Sequence, residues 1–452
     1  MERRYQADLD RWHVKKNRKP LVIRGSRQVG KSTLVRQFAD AAGLMLFEVN
    51  LERQPQLAGA VKTLDPRKIL REIEFICGKG AIRAGEALLF IDEIQGMPQM
   101  LQCLRYFYEE LPELAVIAAG SLLEFALADH SFPMPVGRIE YFSMGPVTWE
   151  EFLKAKGELQ LLELLETFQL CDDFPLSAHE RLLDLMRDYL LVGGMPEAVQ
   201  LHLDGEDWEQ IFQTQEGILQ TYRDDFSKYA TGRSLVTLQR VVDYLGQGVG
   251  RKVKFVNIDA SVQAREVKAV LDLILKAGVV LKAEHSHGNG IPLNAEINAK
   301  VFKLFCLDVG LYQRITRVKH LSDEEIRSVK FINGGALAEQ FMAQQIHSLE
   351  TPGRLPALHY WLREGGRGNA EIDFLLQVGT QVVPLEIKAG KSGTLKSLFQ
   401  FMKEKKGTLA CRFDLNPPSL QEASHVVEGE EVSFKLVSLP LYCVLQAERI
   451  LR

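Results

Sequence analysis

The residues most able to do chemistry come early in the chain. Gly25-Ser26-Arg27-Gln28-Val29-Gly30-Lys31-Ser32 satisfies G-x-x-x-x-G-K-[ST] without a mismatch, and Thr33 follows it into an apolar-periodic stretch. Glycines let such a loop curve tightly, and its N–H groups point inward to cradle phosphates at a helix N-terminus. In this position Lys31 reaches β- and γ-phosphates and the Ser32 hydroxyl is a ligand for Mg²⁺. The loop needs an acidic partner. About 60 residues on, Ala87-Leu88-Leu89-Phe90-Ile91 leads directly into Asp92-Glu93. Asp92 at such a strand end accepts a hydrogen bond from Ser32 or from Mg²⁺-bound water, and Glu93 orients and deprotonates an attacking water. Gly120-Ser121 closes another apolar run, where Ser121 either touches the γ-phosphate or lytic water or caps the next helix. Arg138, after Gly137, either stabilises transition-state charge in cis or from a neighbouring subunit, or forms a surface salt bridge.

A second chemistry is spelled out toward the C-terminus. Glu371-Ile372-Asp373-Phe374-Leu375-Leu376 reads as one strand and Pro384-Leu385-Glu386-Ile387-Lys388 as another, giving D-(x)n-E-x-K. Strand side chains alternate, so Glu386 and Lys388 share a face. Asp373 and Glu386 on paired strands could share one or two Mg²⁺, with Lys388 steadying the attacking water or the developing charge. Glu339, on the helix opened by Gly334-Gly335, could complete the acidic set. Such alternation also occurs on ordinary edge strands, but these strands are apolar enough to be central. An acid and a lysine there need a reason. Lys391, Lys396, Lys403, Lys405 and Lys406 follow, as a DNA-backbone contact or a solvated helix face.

These groups need a scaffold. Pro20-Leu21-Val22-Ile23-Arg24, Leu44–Asn50, Ala87–Ile91 and Leu114–Ala119 read as buried strands alternating with helices, which implies a parallel α/β sheet with its ligand at the carboxyl ends. Helices follow over 150–170, 178–192, stopped by Gly193-Gly194 and Pro196, and 234–249. The spacing then predicts a short strand at Lys254–Ile258, a helix through Val267, Val270, Leu271, Ile274 and Leu275, and a hairpin turning at His287-Gly288-Asn289-Gly290. That order is the order of a winged helix. Its helix would offer Gln263, Arg265, Lys268 and Lys276 to phosphates or base edges, or merely present a solvated face with Glu266 and Asp272. His285 and His287 lack further ligands nearby and read as wing residues.

The chain of 452 residues, 46% hydrophobic, is long enough for two to four domains. A formal charge of −4 excludes a uniformly basic surface, so any nucleic-acid contact must come from local patches. Six cysteines with no C-x-x-C fit a reducing compartment better than disulfides or zinc. With no apolar leader and no run approaching a membrane span, a cytoplasmic protein without membrane attachment is expected.

The glycine loop, Leu88–Gln95, Ala119-Gly120-Ser121 and Val136-Gly137-Arg138 together resemble the AAA+ ATPases known in archaea and bacteria simply as ATP-binding proteins. Tyr189-Leu190-Leu191-Val192-Gly193-Gly194-Met195-Pro196-Glu197 and Phe302–Leu311, ending Asp308-Val309-Gly310-Leu311, match later signatures of that group, whose C-terminal domain is DUF4143-like. Asp373, Glu386 and Lys388 resemble the PD-(D/E)xK phosphodiesterase fold, with archaeal Holliday-junction resolvases among the nearer comparisons. The resemblance implies an α/β chain of four parts: an AAA+ core at 1–147, a helical lid and linker at 148–230, a winged-helix-like domain at 231–320, and a restriction-nuclease-like α/β domain at 321–452. It implies ATP and Mg²⁺ as cofactors and gives Arg138 the role of γ-phosphate sensor. Double-stranded or branched DNA is the expected partner, with homo-oligomerisation open. The output is either metal-dependent DNA cleavage or a switch or assembly factor that binds DNA or protein without cutting.

Overall fold

Leu21, Val22 and Ile23 are all buried because their strand lies inside a parallel sheet covered on both faces. The computed structural model describes all residues except 122–134, 136, 228–229, 231, 317–333, 355, 366–368 and 389–394. It divides into two units. One comprises Met1–Pro146 with Lys276–Gly278 and Thr351–Leu355; the other comprises Val147–Leu275, Val279–Glu350 and Pro356–Arg452.

In the first unit, β1 (Leu21–Arg24), β2 (Met45–Asn50), β3 (Ala87–Asp92), β4 (Ala115–Ala119) and β5 (Glu140–Ser143) form a sheet in the order β2-β3-β4-β1-β5. Each of its described pairings is parallel. The chain therefore leaves every strand at the same edge, which brings Gly25, Asp92-Glu93 and Gly120-Ser121 to one side. The helix Pro66–Cys77 shows how locally its limits are set. Asp65 accepts from the N–H groups of Arg67 and Lys68, Pro66 occupies the first position, and Gly78 ends the helix at φ 63°. Phe47, Val49, Leu89, Ile91 and Val116 pack with Leu101, Leu104 and Phe107 of the helix Gln99–Glu110. Each such buried side chain contributes roughly 1.5–3 kcal/mol.

The second unit begins with helices. Thr148 and Glu151 cap Trp149–Ala155 reciprocally. The helix expected over 150–170 is two, Trp149–Ala155 and Leu159–Thr167, because Gly157 sits at φ 78° between them. Leu176–Val192, Pro196–Leu203, Trp208–Phe226 and Arg233–Gly248 follow. The strand expected at Lys254–Ile258 is instead one turn of helix over Phe255–Ile258; among the described residues its β-branched side chains find no strand to pair with beyond the single bridge at Lys252. Ala264–Lys276 is helical and buries Val267, Val270, Leu271 and Ile274 as spaced.

β6 (Val280–Ser286) and β7 (Ile297–Cys306) form the expected hairpin, but not a free wing. β6 also pairs in parallel with β8 (Leu358–Arg363), which pairs with β9 (Ala370–Ile372), so the sheet runs β7-β6-β8-β9 across the boundary expected at 320/321. At Asp373 the chain changes sheets. β10 (Phe374–Val378), β11 (Gln381–Ile387), β12 (Leu409–Asp414), β13 (Ser419–Val427) and β14 (Glu430–Pro440) take the order β10-β11-β12-β14-β13. The helix Lys396–Lys405 covers that sheet with Leu398, Phe401 and Met402, against Ala410, Phe434 and Leu436. Glu339 lies on the helix Gly335–His347.

Candidate functional site

Two glycines shape the loop after β1. Gly25 has φ 146°, and a Cβ there would collide with the carbonyl oxygen of Met144. Gly30, at φ 92°, caps the helix Lys31–Ala41. The Lys31 ammonium is buried and donates to the carbonyl oxygens of Gly25 at 2.9 Å and Ser26 at 2.7 Å. Burial pulls its pKa down to about 8, against the upward draw of Glu93 and Asp92. Ser26 and Val29 are buried, Arg27 is half-buried, and Gln28 and Thr33 lie at the surface.

The acidic partner is in contact. Ser32 Oγ donates to Asp92 Oδ2 at 2.9 Å. Burial raises the Asp92 pKa, and the Ser32 hydrogen bond offsets part of that rise. Glu93 adopts φ 50°, ψ 49°, a left-handed conformation uncommon outside glycine. Its N–H donates to Asp92 Oδ1 at 3.0 Å, and its Oε2 accepts from Ser121 Oγ at 3.4 Å and Gln95 Nε2 at 2.5 Å. Ser121 can reach because β4 lies between β1 and β3.

Arg138 lies away from the glycine loop of its own chain. Glu140, two residues on, is level with Leu21 at the start of β1. Arg138 thus sits at the amino edge of the sheet, roughly 20 Å along the strands from Gly25. Its Nε–H donates to Glu109 Oε1 at 2.9 Å, and its side chain is 43% exposed. In cis it forms the surface ion pair and does not approach its own chain's loop.

In the second unit, the sheet change at Asp373 brings the C-terminal acids together. Asp373 Oδ2 accepts from the N–H of Ile387 at 2.7 Å, next to Glu386. Lys388 Nζ donates to Glu386 Oε1 at 2.5 Å. Glu339 joins them from the helix Gly335–His347, and Gly250 makes room for it, since a Cβ there would strike Glu339 Oε2. Burial, then the nearby charge of Asp373, pushes Glu339 up to about 8 and Glu386 up to about 7; burial raises Asp373 as well.

The sequence reading missed the residue at the centre. Lys303 of β7 is 0% exposed, and its Nζ lies 2.5 Å from Glu371 Oε1, 3.7 Å from Glu339 Oε2 and 4.0 Å from Asp373 Oδ1. The ammonium also stands 5.0 Å from the Tyr360 ring centroid. Burial alone would lower its pKa, but Glu339, Asp373 and Glu371 hold it above the ordinary lysine value. The signal was present: Lys303 is the one charge in Val301-Phe302-Lys303-Leu304-Phe305-Cys306, and Glu371 alternates with Asp373. Among the described residues, no group of three or more His, Cys, Asp or Glu side chains is arranged to hold a metal ion.

The two later signatures form a buried latch. Asp308 accepts from the N–H of Gly194 at 2.5 Å and of Leu311 at 3.0 Å, and from Gln344 Nε2 at 3.2 Å. Gly193, at φ 69°, leaves no space for a Cβ beside the Asp308 carboxylate. Gln340 exchanges hydrogen bonds with the backbone of Cys306, each at 2.8 Å, and Gln345 accepts from the N–H of Trp149 at 2.9 Å. Lys403 and Lys405 are tied to Glu428 and Asn289, Lys396 and Lys406 are exposed, and Lys391 lies outside the described residues. Gln263, Arg265, Lys268 and Lys276 are exposed. His285 is buried against Tyr360 and stacks edge-on with His287.

Three stretches of the chain match protein families. Residues 17–153 match an AAA domain family, residues 183–322 a domain of unknown function (DUF8612), and residues 334–430 another (DUF4143). Among curated proteins, none matches the chain significantly. Similar solved structures include the Walker-type ATPase of Pyrococcus abyssi, at 15% identity and TM-score 0.43 over 70% of this chain and 96% of that one. The ORC2 protein of Aeropyrum pernix, in ADPNP–ADP complexes, follows at 10% identity and TM-score 0.34, over 66% and 86%. PCH-2 of C. elegans is at 13% and 0.27, over 44% and 58%. At TM-scores below 0.5 these likenesses carry no role or residue across. The first unit is an α/β domain with a P-loop-like glycine loop, and over residues 17–153 it is AAA+-like. Among the described residues, no helix is long and apolar enough to cross a membrane.

Proposed function

We propose that the first unit binds ATP with Mg²⁺ and hydrolyses it, and that nucleotide state governs a DNA-binding platform in the second. One observation carries the ATPase reading: the continuous line of contacts from Ser32 through Asp92 and Glu93 to Ser121 beside a buried lysine. Ser32 and Asp92 offer hard oxygens 2.9 Å apart, close to the spacing of adjacent ligands in an octahedron with metal–oxygen bonds of about 2.1 Å. They are the residues that would hold Mg²⁺, which supplies charge neutralisation at the phosphates. Lys31 would exchange the carbonyls of Gly25 and Ser26 for β/γ-phosphate oxygens, which offer it full countercharge. The N–H groups of the loop from Gly25 to Thr33, Arg27, Gln28 and Val29 included, would cradle the phosphates. Glu93 would take the proton of the attacking water, and Ser121 would steady that carboxylate or the water. Arg138 would reach a γ-phosphate only in an adjacent copy, so that role requires homo-oligomerisation.

Lys31→Ala is expected to weaken Mg-ATP binding at least about 100-fold, and Glu93→Gln to keep binding while slowing turnover at least about 100-fold. Both are read by nucleotide titration and phosphate release. Normal turnover in either variant sinks the assignment.

For the second unit, two outputs fit the acid–lysine pattern. In one, Asp373, Glu386 and Lys388, with Glu339, cleave DNA phosphodiesters with a divalent ion. In the other, the same fold binds double-stranded or branched DNA, or protein, without cutting. The position of Lys303 among the acids favours the second, since it sets a cation where the shared ion would have to be. The exposed Gln263, Arg265, Lys268, Lys396 and Lys406 support a backbone-tracking contact. Salt-sensitive DNA binding without cleavage is expected; cleavage in Mg²⁺ or Mn²⁺ that is lost in Asp373→Ala and Glu386→Ala would restore the first output.

A further inference from the structure

We infer that the Lys303 ammonium is the resident cation of the Glu339–Glu371–Asp373–Glu386 cluster, standing in for a divalent metal and keeping one out. This deepens the non-cutting reading above. The ammonium lies within 4.0 Å of three carboxylates, Glu371, Glu339 and Asp373, and has three donors to offer them. It is itself fully buried, while Glu371 beside it is partly exposed. Lys303 pairs with Ala283 in the β6–β7 ladder, is 0% exposed, and lies over Tyr360.

A divalent ion held by Glu339 and Asp373 would sit beside that ammonium in a buried, low-dielectric place, where like charges repel strongly. The fourth acid shows the same thing from the other side. Glu386 gives Oε1 to Lys388, while its Oε2 is buried with no hydrogen-bond partner among the described residues, on a side chain only 8% exposed. In a metal site that oxygen would be a ligand; here the neighbouring positive charge belongs to lysines. The donor set of acids is correct for Mg²⁺ or Mn²⁺, and the cation already supplied by the chain makes it unfit.

Mn²⁺ is the probe, used on the full chain carrying Lys31→Ala and without nucleotide. Electron paramagnetic resonance counts bound Mn²⁺, and thermal unfolding is followed with and without it. With Lys303 present, Mn²⁺ binding is expected to be identical in the further variant Glu386→Gln, with no Mn²⁺-dependent rise in the unfolding midpoint. Lys303→Ala is expected to lower the midpoint and to gain one Mn²⁺ site at least about tenfold tighter, with Mn²⁺ restoring the lost stability. If Lys303→Ala does not fold, Lys303→Met with Glu371→Gln removes one positive and one negative charge together and carries the same expectation. A Mn²⁺ site in the Lys303 chain that Glu386→Gln abolishes would overturn the inference. So would a folded Lys303 variant that gains no Mn²⁺ site. The readout is metal and stability, so its failure is distinct from a failure to bind DNA.

Discussion

A lysine's protonation is decided by what surrounds it, and this chain has two buried lysines with opposite fates. Lys31 is desolvated among carbonyls, which pulls its pKa down to about 8; Lys303 is equally desolvated among carboxylates, which hold it above the ordinary value. Below about 8 Lys31 is charged and ready for phosphate; above, it must take up a proton to bind, because the phosphates favour the charged form. The dissociation constant of a non-hydrolysable ATP analogue for the native chain is therefore expected to stay flat below about pH 8 and to rise up to tenfold per unit above it, until Lys31 is fully neutral. A titration between pH 7 and 9.5 measures this, and a flat profile would remove Lys31 from phosphate contact. The placement of Lys31 was legible in the sequence because it is local, fixed by loop glycines a few residues away. Lys303 was not, because its partners come from Glu339, Glu371 and Asp373, and no local spacing joins them.

At the scale of elements, the two signature stretches Tyr189–Glu197 and Phe302–Leu311 serve each other. The Gly193-Gly194 turn exists to present an N–H to Asp308, and Asp308 also caps the helix Val309–Ile315. Asp308→Ala would leave the N–H groups of Gly194 and Leu311 buried without partners, which costs about 2–4 kcal/mol. The midpoint of thermal unfolding is expected to fall by roughly 4–12 °C in that variant. Gly193→Ala should fall as far, because it adds a strained φ to a collision with the same carboxylate. A shift under about 2 °C in both would mean the latch bears little of the unit's stability. The parallel strands of the first unit were readable as apolar runs, since burial on both faces leaves a continuous signature. The crossing of the chain from one sheet to the next at Asp373 was not. Glu371–Leu376 reads as one strand, and only the register of β9 with β8 and of β10 with β11 divides it. The free wing failed for the same reason, because β8, which completes its sheet, lies more than fifty residues further along the chain.

For the whole molecule, the place of Arg138 decides between a solitary ATPase and an assembly. Its pairing with Glu109 at the amino edge of the sheet holds it away from the glycine loop of its own chain, so the catalytic role proposed for it would belong to a neighbouring copy. The exposed, solvent-screened ion pair holds it only weakly, so release to a phosphate in a neighbour costs little. This has a direct test in mixed assemblies. Arg138→Ala keeps an intact glycine loop but supplies no arginine; Lys31→Ala supplies the arginine but has no working loop. Each alone is expected to lose at least about 100-fold in turnover. Mixed in equal amounts and allowed to exchange, they should rebuild sites in which the loop of one chain meets the arginine of the other. Random assembly makes about one interface in four competent, so turnover should recover toward a quarter of the native rate. Native mass measurement of the same mixture shows whether mixed assemblies form. If they form and no turnover returns, Arg138 has no part in hydrolysis; if Arg138→Ala alone turns over normally, the surface ion pair is its whole role.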